Sequence, residues 1–159
     1  MTDRSFADWK ALAAGMKFRD QAFIDGKFVP SQSGRRFDSI NPATGAVLAS
    51  VAECDAADVD LAVAAARRAF DDGRWSRKAP AERKAVMLRL ADLIRANLAE
   101  MALLDSLDMG KLVTDAVTID APGSAHFFQW HAEALDKIYD QVAPNGPGDL
   151  AIVRRVPLG

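Results

Sequence analysis

The sequence predicts a chain of mixed helix and strand, α/β or α+β in class. Three observations carry this. Short extended runs broken by Asp-Gly and Asn-Pro turns fill residues 23–51. From Asp55 the apolar spacing changes to the helical period and keeps it for some eighty residues. After a stretch dense in proline and glycine at 144–148, a run of extended character returns at 150–156.

The elements follow in chain order. Phe6, Trp9, Ala13 and Met16 recur at helical spacing, with Ser5 placed to cap and Asp8 three residues on to complete a capping box. Phe23 to Val29 reads as strand, turn, strand. Asp25-Gly26 suits a type I′ hairpin, whose two central residues need positive φ. Arg36 to Ile40 and Val47 to Val51 are predicted as two further strands joined by the Asn41-Pro42-Ala43-Thr44-Gly45 turn.

Asp55 is a good N-cap for the next helix, and Asp58 sits in its first turn, where the helix dipole favours a negative charge. Val59, Ala62, Val63, Ala66 and Phe70 form one face, and Gly73 is the stop. Pro80 suits a first helical turn. Val86, Met87, Leu90, Leu93, Ile94, Leu98, Met101 and Leu104 then extend an apolar face to Gly110. That run exceeds an ordinary globular helix, so a break is predicted near Ala96-Asn97. A further helix is predicted from about Asp115, disturbed at Pro122-Gly123 and continuing to about Val142. Leu150 to Val156 is predicted as a strand.

Composition narrows the function. The 159 residues carry a formal net charge of −2 and a pI near 5.7, so no basic excess exists to hold a nucleic-acid backbone. No apolar run approaches the roughly 18–20 residues needed to span a bilayer. Asp8 and Lys10 interrupt the apolar positions of the first seventeen residues, so no secretion signal is expected there and a cytoplasmic location is. One cysteine excludes an internal disulfide and a multi-cysteine metal cluster.

The chemistry-bearing residues do not assemble into a catalytic set. Cys54 lies before a helix N-terminus but between Glu53 and Asp55, whose charges favour the thiol over the thiolate. His126 and His131 are five apart, whereas a metal-binding pair on one helix face wants four. Gly146 and Gly148 form a GxG, but Ala151 stands where a dinucleotide loop needs its third glycine. Asp108, Gly110 and Lys111 read as a helix end with a lysine compensating the dipole. Arg154-Arg155 reads as a solvated strand edge.

Several segments in a fixed order nevertheless resemble a known family. FIDGKFV at Phe23, INPATGAVLASV from Ile40, DVDLAVAAARRAF from Asp58, APAERKAVMLRLADLI from Ala79 and LDSLDMGK from Leu104 look like the opening of the NAD(P)-dependent aldehyde dehydrogenase superfamily. LAIVRRVPLG at the end is similar to the family's strand leading towards its nucleotide-binding sheet. The likeness covers residues 20–159, and the order and spacing of the segments are more specific than any one of them. FADWKALAAGMKF, GRWSRKAPAERKAV and DAPGSAHFFQWHAEALDKIYDQVA are similar to the aminoaldehyde branch, which oxidises γ-glutamyl-γ-aminobutyraldehyde and related ω-aminoaldehydes in polyamine and putrescine breakdown.

The resemblance implies an α/β fold: antiparallel hairpins and helices that flank a Rossmann-like core absent from these residues. It implies an N-terminal extension at 1–22, the N-terminal portion of an NAD(P)-binding domain at 23–143, and the start of a bridging, oligomerisation strand region at 144–159. In that family a cysteine thiolate attacks the aldehyde, donors stabilise the oxyanion, hydride passes to NAD(P)+, and a glutamate-activated water releases the acid. No residue here matches those catalytic or cofactor-binding positions, and Cys54 does not match the nucleophile segment. The chain alone is therefore expected to be inactive, to bind neither NAD nor NADP, and to be poorly stable. The complete enzyme is expected to be a homo-oligomer, a dimer or tetramer, acting on a small aldehyde. The alternative is a short non-catalytic module that docks on dehydrogenase subunits. The resemblance also implies a structural monovalent cation held by the Ser39 and Ile40 carbonyls and the Asp108 carboxylate.

Overall fold

The computed structural model describes residues 4–158. The order is α1 (Phe6–Ala14), β1 (Ala22–Ile24), β2 (Lys27–Val29), β3 (Arg36–Ile40), β4 (Val47–Ala52), α2 (Ala56–Asp71), α3 (Pro80–Ala96), α4 (Leu98–Met109), α5 (Val113–Asp115), a π-helical turn over Ala116–Asp120, α6 (Ala121–Ala134), β5 (Gln141–Ala143) and β6 (Ala151–Val153). The strands form three separate antiparallel pairs: β1–β2, β3–β4 and β5–β6.

Local chemistry sets most boundaries where the residues predict them. Ser5 caps α1 and exchanges hydrogen bonds with Asp8, and Asp55 does the same for α2 with Asp58. Asp25 (φ 51°) and Gly26 (φ 77°) make the left-handed turn between β1 and β2. The break between α3 and α4 falls on Asn97. Its side-chain amide donates to the Leu93 carbonyl at 2.8 Å, competing with the regular ladder.

Three expectations are corrected. The last helix ends at Ala134 instead of running to Val142, and Gln141–Ala143 is a strand that pairs with β6. The strand predicted over 150–156 is confined to Ala151–Val153. The disturbance near Pro122 lies upstream of it, as the π turn. Pro122 has no N–H to give the Thr118 carbonyl, and the Ala121 N–H bonds back to Ala116, five residues away.

The predicted helix faces are also shifted. On α1 only Phe6 departs, at 84% exposed: Trp9 is buried with Ala102, Leu103, Ala116 and Val117, and Ala13 and Met16 pack on that cluster, tying α1 to α4 and the π turn. On α2 the inward positions are Asp58, which reaches the loop after β2, and Ala62, Ala65 and Ala69, which face the β1–β2 hairpin, while Val59 and Val63 stand in solvent. The most extensive helix contact is α3 against α6. The buried positions there are Ala91 and Ile94 on one helix and Ala121, Ala125 and Ala132 on the other; the four alanines let the backbones approach.

The buried set is small in consequence. Seven of the eleven buried apolar residues are alanine, and large side chains such as Phe127, Trp130, Leu112 and Ile119 are exposed. A compact monomer of this mass exposes about 7,800 Å². This chain exposes 11408 Å².

Candidate functional site

The residues implied as a cation site lie where α4 ends against the β3–β4 hairpin. Asn41 is buried and sets the turn. Its Oδ1 accepts from the Ala43 N–H at 2.9 Å, its N–H donates to the Ala46 carbonyl, and its carbonyl accepts from Gly45. Gly110 ends α4 in the left-handed region at φ 78°, packed so closely on the turn that a Cβ would meet Pro42 Cγ at 3.0 Å. This contact holds the last turn of α4 over β3. There the Ser39 hydroxyl donates to Asp108 Oδ1 at 2.9 Å, across 69 residues of sequence.

Ser39 and Asp108 are thus brought together, and both line a cleft of about 320 Å³ with Asp105 and Glu100. Ile40 is the next residue of β3, beside an irregularity in which the register passes from Ser39–Ala49 to Ile40–Val47. Such a bulge interrupts the ladder at the pair whose carbonyls the resemblance implicates. Oxygen donors of this kind suit a hard cation. Among the described residues, no group of three or more His, Cys, Asp or Glu side chains is arranged to hold a metal ion.

The other candidates are separated. Cys54 is exposed, and its neighbours Glu53 and Asp55 lie 3.8 and 3.7 Å from the Arg35 guanidinium. His126 and His131 are both exposed on α6; His131 sets its ring edge-on to Trp130 at 4.9 Å. Gly146 and Gly148 lie in the loop between β5 and β6, where the Asp149 N–H turns back to the Gly146 carbonyl. A dinucleotide loop needs a strand followed by a helix N-terminus, so these glycines do not fit one. Lys111 does more than face a dipole. Its ammonium sits 2.5 Å from Asp120 at the π turn, and that carboxylate raises the lysine above its usual range.

Sequence reasoning missed one polar anchor. Asp58 is 2% exposed, and its two oxygens accept from the Gln32 and Asp55 N–H groups at 2.9 and 3.0 Å. It thereby ties the loop after β2 to the start of α2. The first-turn position was legible, but the Gln32 contact spans 26 residues and leaves no local signal.

Comparison with known proteins places this arrangement. Aminoacetaldehyde dehydrogenase of Pseudomonas aeruginosa is 51% identical over 152 residues, 96% of this chain and 31% of the relative. The structure of an indole-3-acetaldehyde dehydrogenase complexed with NAD+ superposes with a TM-score of 0.94 at 49% identity, over 96% of this chain and 31% of that one. A γ-glutamyl-γ-aminobutyraldehyde dehydrogenase from Burkholderia cenocepacia matches with a TM-score of 0.88 at 49% identity, over 90% and 29%. The chain therefore spans about three-tenths of the length of these relatives and corresponds to their N-terminal part. No described helix is long and apolar enough to cross a membrane. With residues 28–159 matching the model of the aldehyde dehydrogenase family, over hairpins and helices that superpose on its solved members, the chain belongs to that family.

Proposed function

We propose that this chain is the N-terminal part of an NAD(P)-dependent aldehyde dehydrogenase that oxidises an ω-aminoaldehyde to its carboxylic acid. The carrying observation is the 51% identity to an aminoacetaldehyde dehydrogenase across 96% of the chain. The excess of exposed surface supports a part over a free-standing domain, because the apolar faces of α2 and α6 lack cover. In this reading residues 1–22 are an extension, 23–143 belong to the NAD(P)-binding domain, and 144–159 begin the strand region that bridges subunits of a cytoplasmic homo-oligomer.

The chain's own contribution is structural. NAD(P)+ accepts the hydride in the whole enzyme, and the nucleophile, oxyanion donors and base belong to the remaining polypeptide. Ser39, Ile40 and Asp108 hold a monovalent cation that pins the β3–β4 turn to the end of α4. The hydrogen bond already joining Ser39 to Asp108 supports that role.

The test has two stages. The intact mass of the native protein in its source cells is expected to be several times 17.2 kDa. That whole protein is then assayed for NAD(P)H formation with an aminoaldehyde and with indole-3-acetaldehyde in parallel. Faster turnover of the aminoaldehyde is expected, and preference for the indole substrate overturns the substrate class. A native species of 17.2 kDa that co-purifies with a larger dehydrogenase subunit overturns the reading in favour of a docking module.

A further inference from the structure

Arg83 stands one turn into α3, and its side chain is half-buried. Its Nε is shut off from solvent and has no hydrogen-bond acceptor among the described residues. A buried donor left without a partner is costly, and more so on a charged group. The adjacent Lys84 is satisfied, at 2.8 Å from Asp136. The deficit is therefore particular to Arg83.

Arg83 borders a groove of about 640 Å³ between the start of α3, the segment after α6 and the stretch after β6. Arg154 and Arg155 share that groove, and its one acidic side chain, Asp140, is already engaged. Asp140 Oδ1 accepts the Arg155 N–H at 3.0 Å, and Oδ2 lies 3.9 Å from Arg154 Nε. The guanidinium groups of Arg83 and Arg155 have no ion-pair partner among the described residues. The rim is apolar: Ile138, Tyr139 and Val156 are exposed by 62%, 77% and 66%. A cationic floor under apolar walls suits a carboxylate carried on a polypeptide; an inorganic ion leaves the walls uncovered.

We propose that this groove is the docking site for an acidic segment of the remaining dehydrogenase polypeptide, whose Asp or Glu accepts from Arg83 while its apolar neighbours cover Ile138, Tyr139 and Val156. The proposal rests on the reading of this chain as part of a longer enzyme. Charge complementarity and the three-tenths coverage of the relatives select this occupant. Arg83 suits the role because guanidinium pairs with carboxylate in a planar fork.

The experiment uses the whole enzyme with the photo-cross-linker p-benzoyl-phenylalanine introduced at Tyr139. After irradiation, the cross-linked peptide is expected to lie outside residues 1–159 and to contain Asp or Glu. Arg83→Met is expected to lower the cross-link yield about tenfold, and Arg83→Lys less, as loss of one charge-assisted fork predicts. A cross-link confined to residues 1–159 of the same or a second copy overturns the proposal. So does a yield unchanged by Arg83→Met, or inorganic phosphate alone raising the melting midpoint of the wild type but not of Arg83→Met. If Arg83→Met does not fold, the identity of the wild-type cross-linked peptide decides. Aldehyde oxidation is measured on the same preparation. Turnover without the cross-link refutes the docking site alone, and the cross-link without turnover refutes the enzymatic reading alone.

Discussion

Helices α2 and α6 both carry strong apolar residues, yet they differ in what this chain does with them. α6 lies against α3 through Ala121, Ala125 and Ala132, and the contact is closed. α2 meets the β1–β2 hairpin and the loop after it, on its Asp58–Ala65 side, and leaves Val59 and Val63 exposed by 56% and 60%. The large side chains of α6, including Phe127 and Trp130, likewise face away from the α3 contact. On these two helices the buried apolar residues are alanines, and the large side chains named face out. That division is what a part of a larger core shows, and it explains why apolar periodicity located α2 but misassigned part of its inward face.

The comparison breaks most directly at Ala125, which is 1% exposed. Ala125→Leu forces a bulky side chain between α3 and α6 and is expected to destabilise by about 3 kcal/mol. Val63→Ser, on the open face of α2, is expected to change stability of this chain by less than about 0.5 kcal/mol. In the proposed whole enzyme the same Val63→Ser is expected to cost about 1–2 kcal/mol, because there the remaining polypeptide is proposed to cover that face. Urea midpoints of both variants in both contexts test it. Equal effects of Val63→Ser in the two contexts refute the division.

Asp58 sharpens the same contrast from the polar side. It is the most deeply buried charged residue described, on a helix whose one buried apolar residue is Ala65. Asp58→Ala leaves the Gln32 and Asp55 N–H groups without acceptors and is expected to cost about 2 kcal/mol. Amide exchange should accelerate at Gln32 first. Unchanged protection there means that the carboxylate does not hold the loop to α2.

Much of the fold was legible because its boundaries are local events. Ser5, Asp55, Asp25-Gly26, Asn97 and Gly110 each act through neighbours within four residues, and each acts as its chemistry predicts. The end of α6 was not legible. Residues 135–140 are compatible with a helix, and only the pairing of β5 with β6 draws Gln141–Ala143 into a strand. The candidate site was half legible. The Asn41-Pro42 turn is written in sequence, but nothing local relates Ser39 to Asp108. That pairing came from resemblance, and the 2.9 Å hydrogen bond joins the two side chains.

Gly110 tests the seam that produces this pairing. Gly110→Ala puts a Cβ on a backbone at φ 78° and against Pro42. The expected cost is about 1–2 kcal/mol from the left-handed conformation alone. The sharper readout is the seam itself: exchange protection should fall at Asn41–Gly45 and in the last turn of α4, and stay unchanged between α3 and α6. Loss spread evenly over α1 to α6 contradicts the view that α4 is locked to the hairpin at one point.

The smallest expected effect concerns the ion pair that fastens α3 to the segment after α6. Lys84 and Lys137 hold Asp136 at a pKa of about 2, against the usual 3.8, mainly through their hydrogen bonds to its carboxylate. A folded-state pKa below the unfolded one means that ionised Asp136 stabilises the fold above pH 3.8. That contribution fades as the pH falls from 3.8 towards 2, where the folded form also takes up the proton. Asp136→Asn should therefore lower the urea midpoint slightly at neutral pH, and the gap to wild type should close across this acidic window. The pair is partly exposed, so added salt should shrink the neutral-pH gap as well. A gap that persists unchanged below pH 2 means that the aspartate acts through shape and not through charge. The junction of α3 with the segment after α6 then owes nothing to the charge of Asp136.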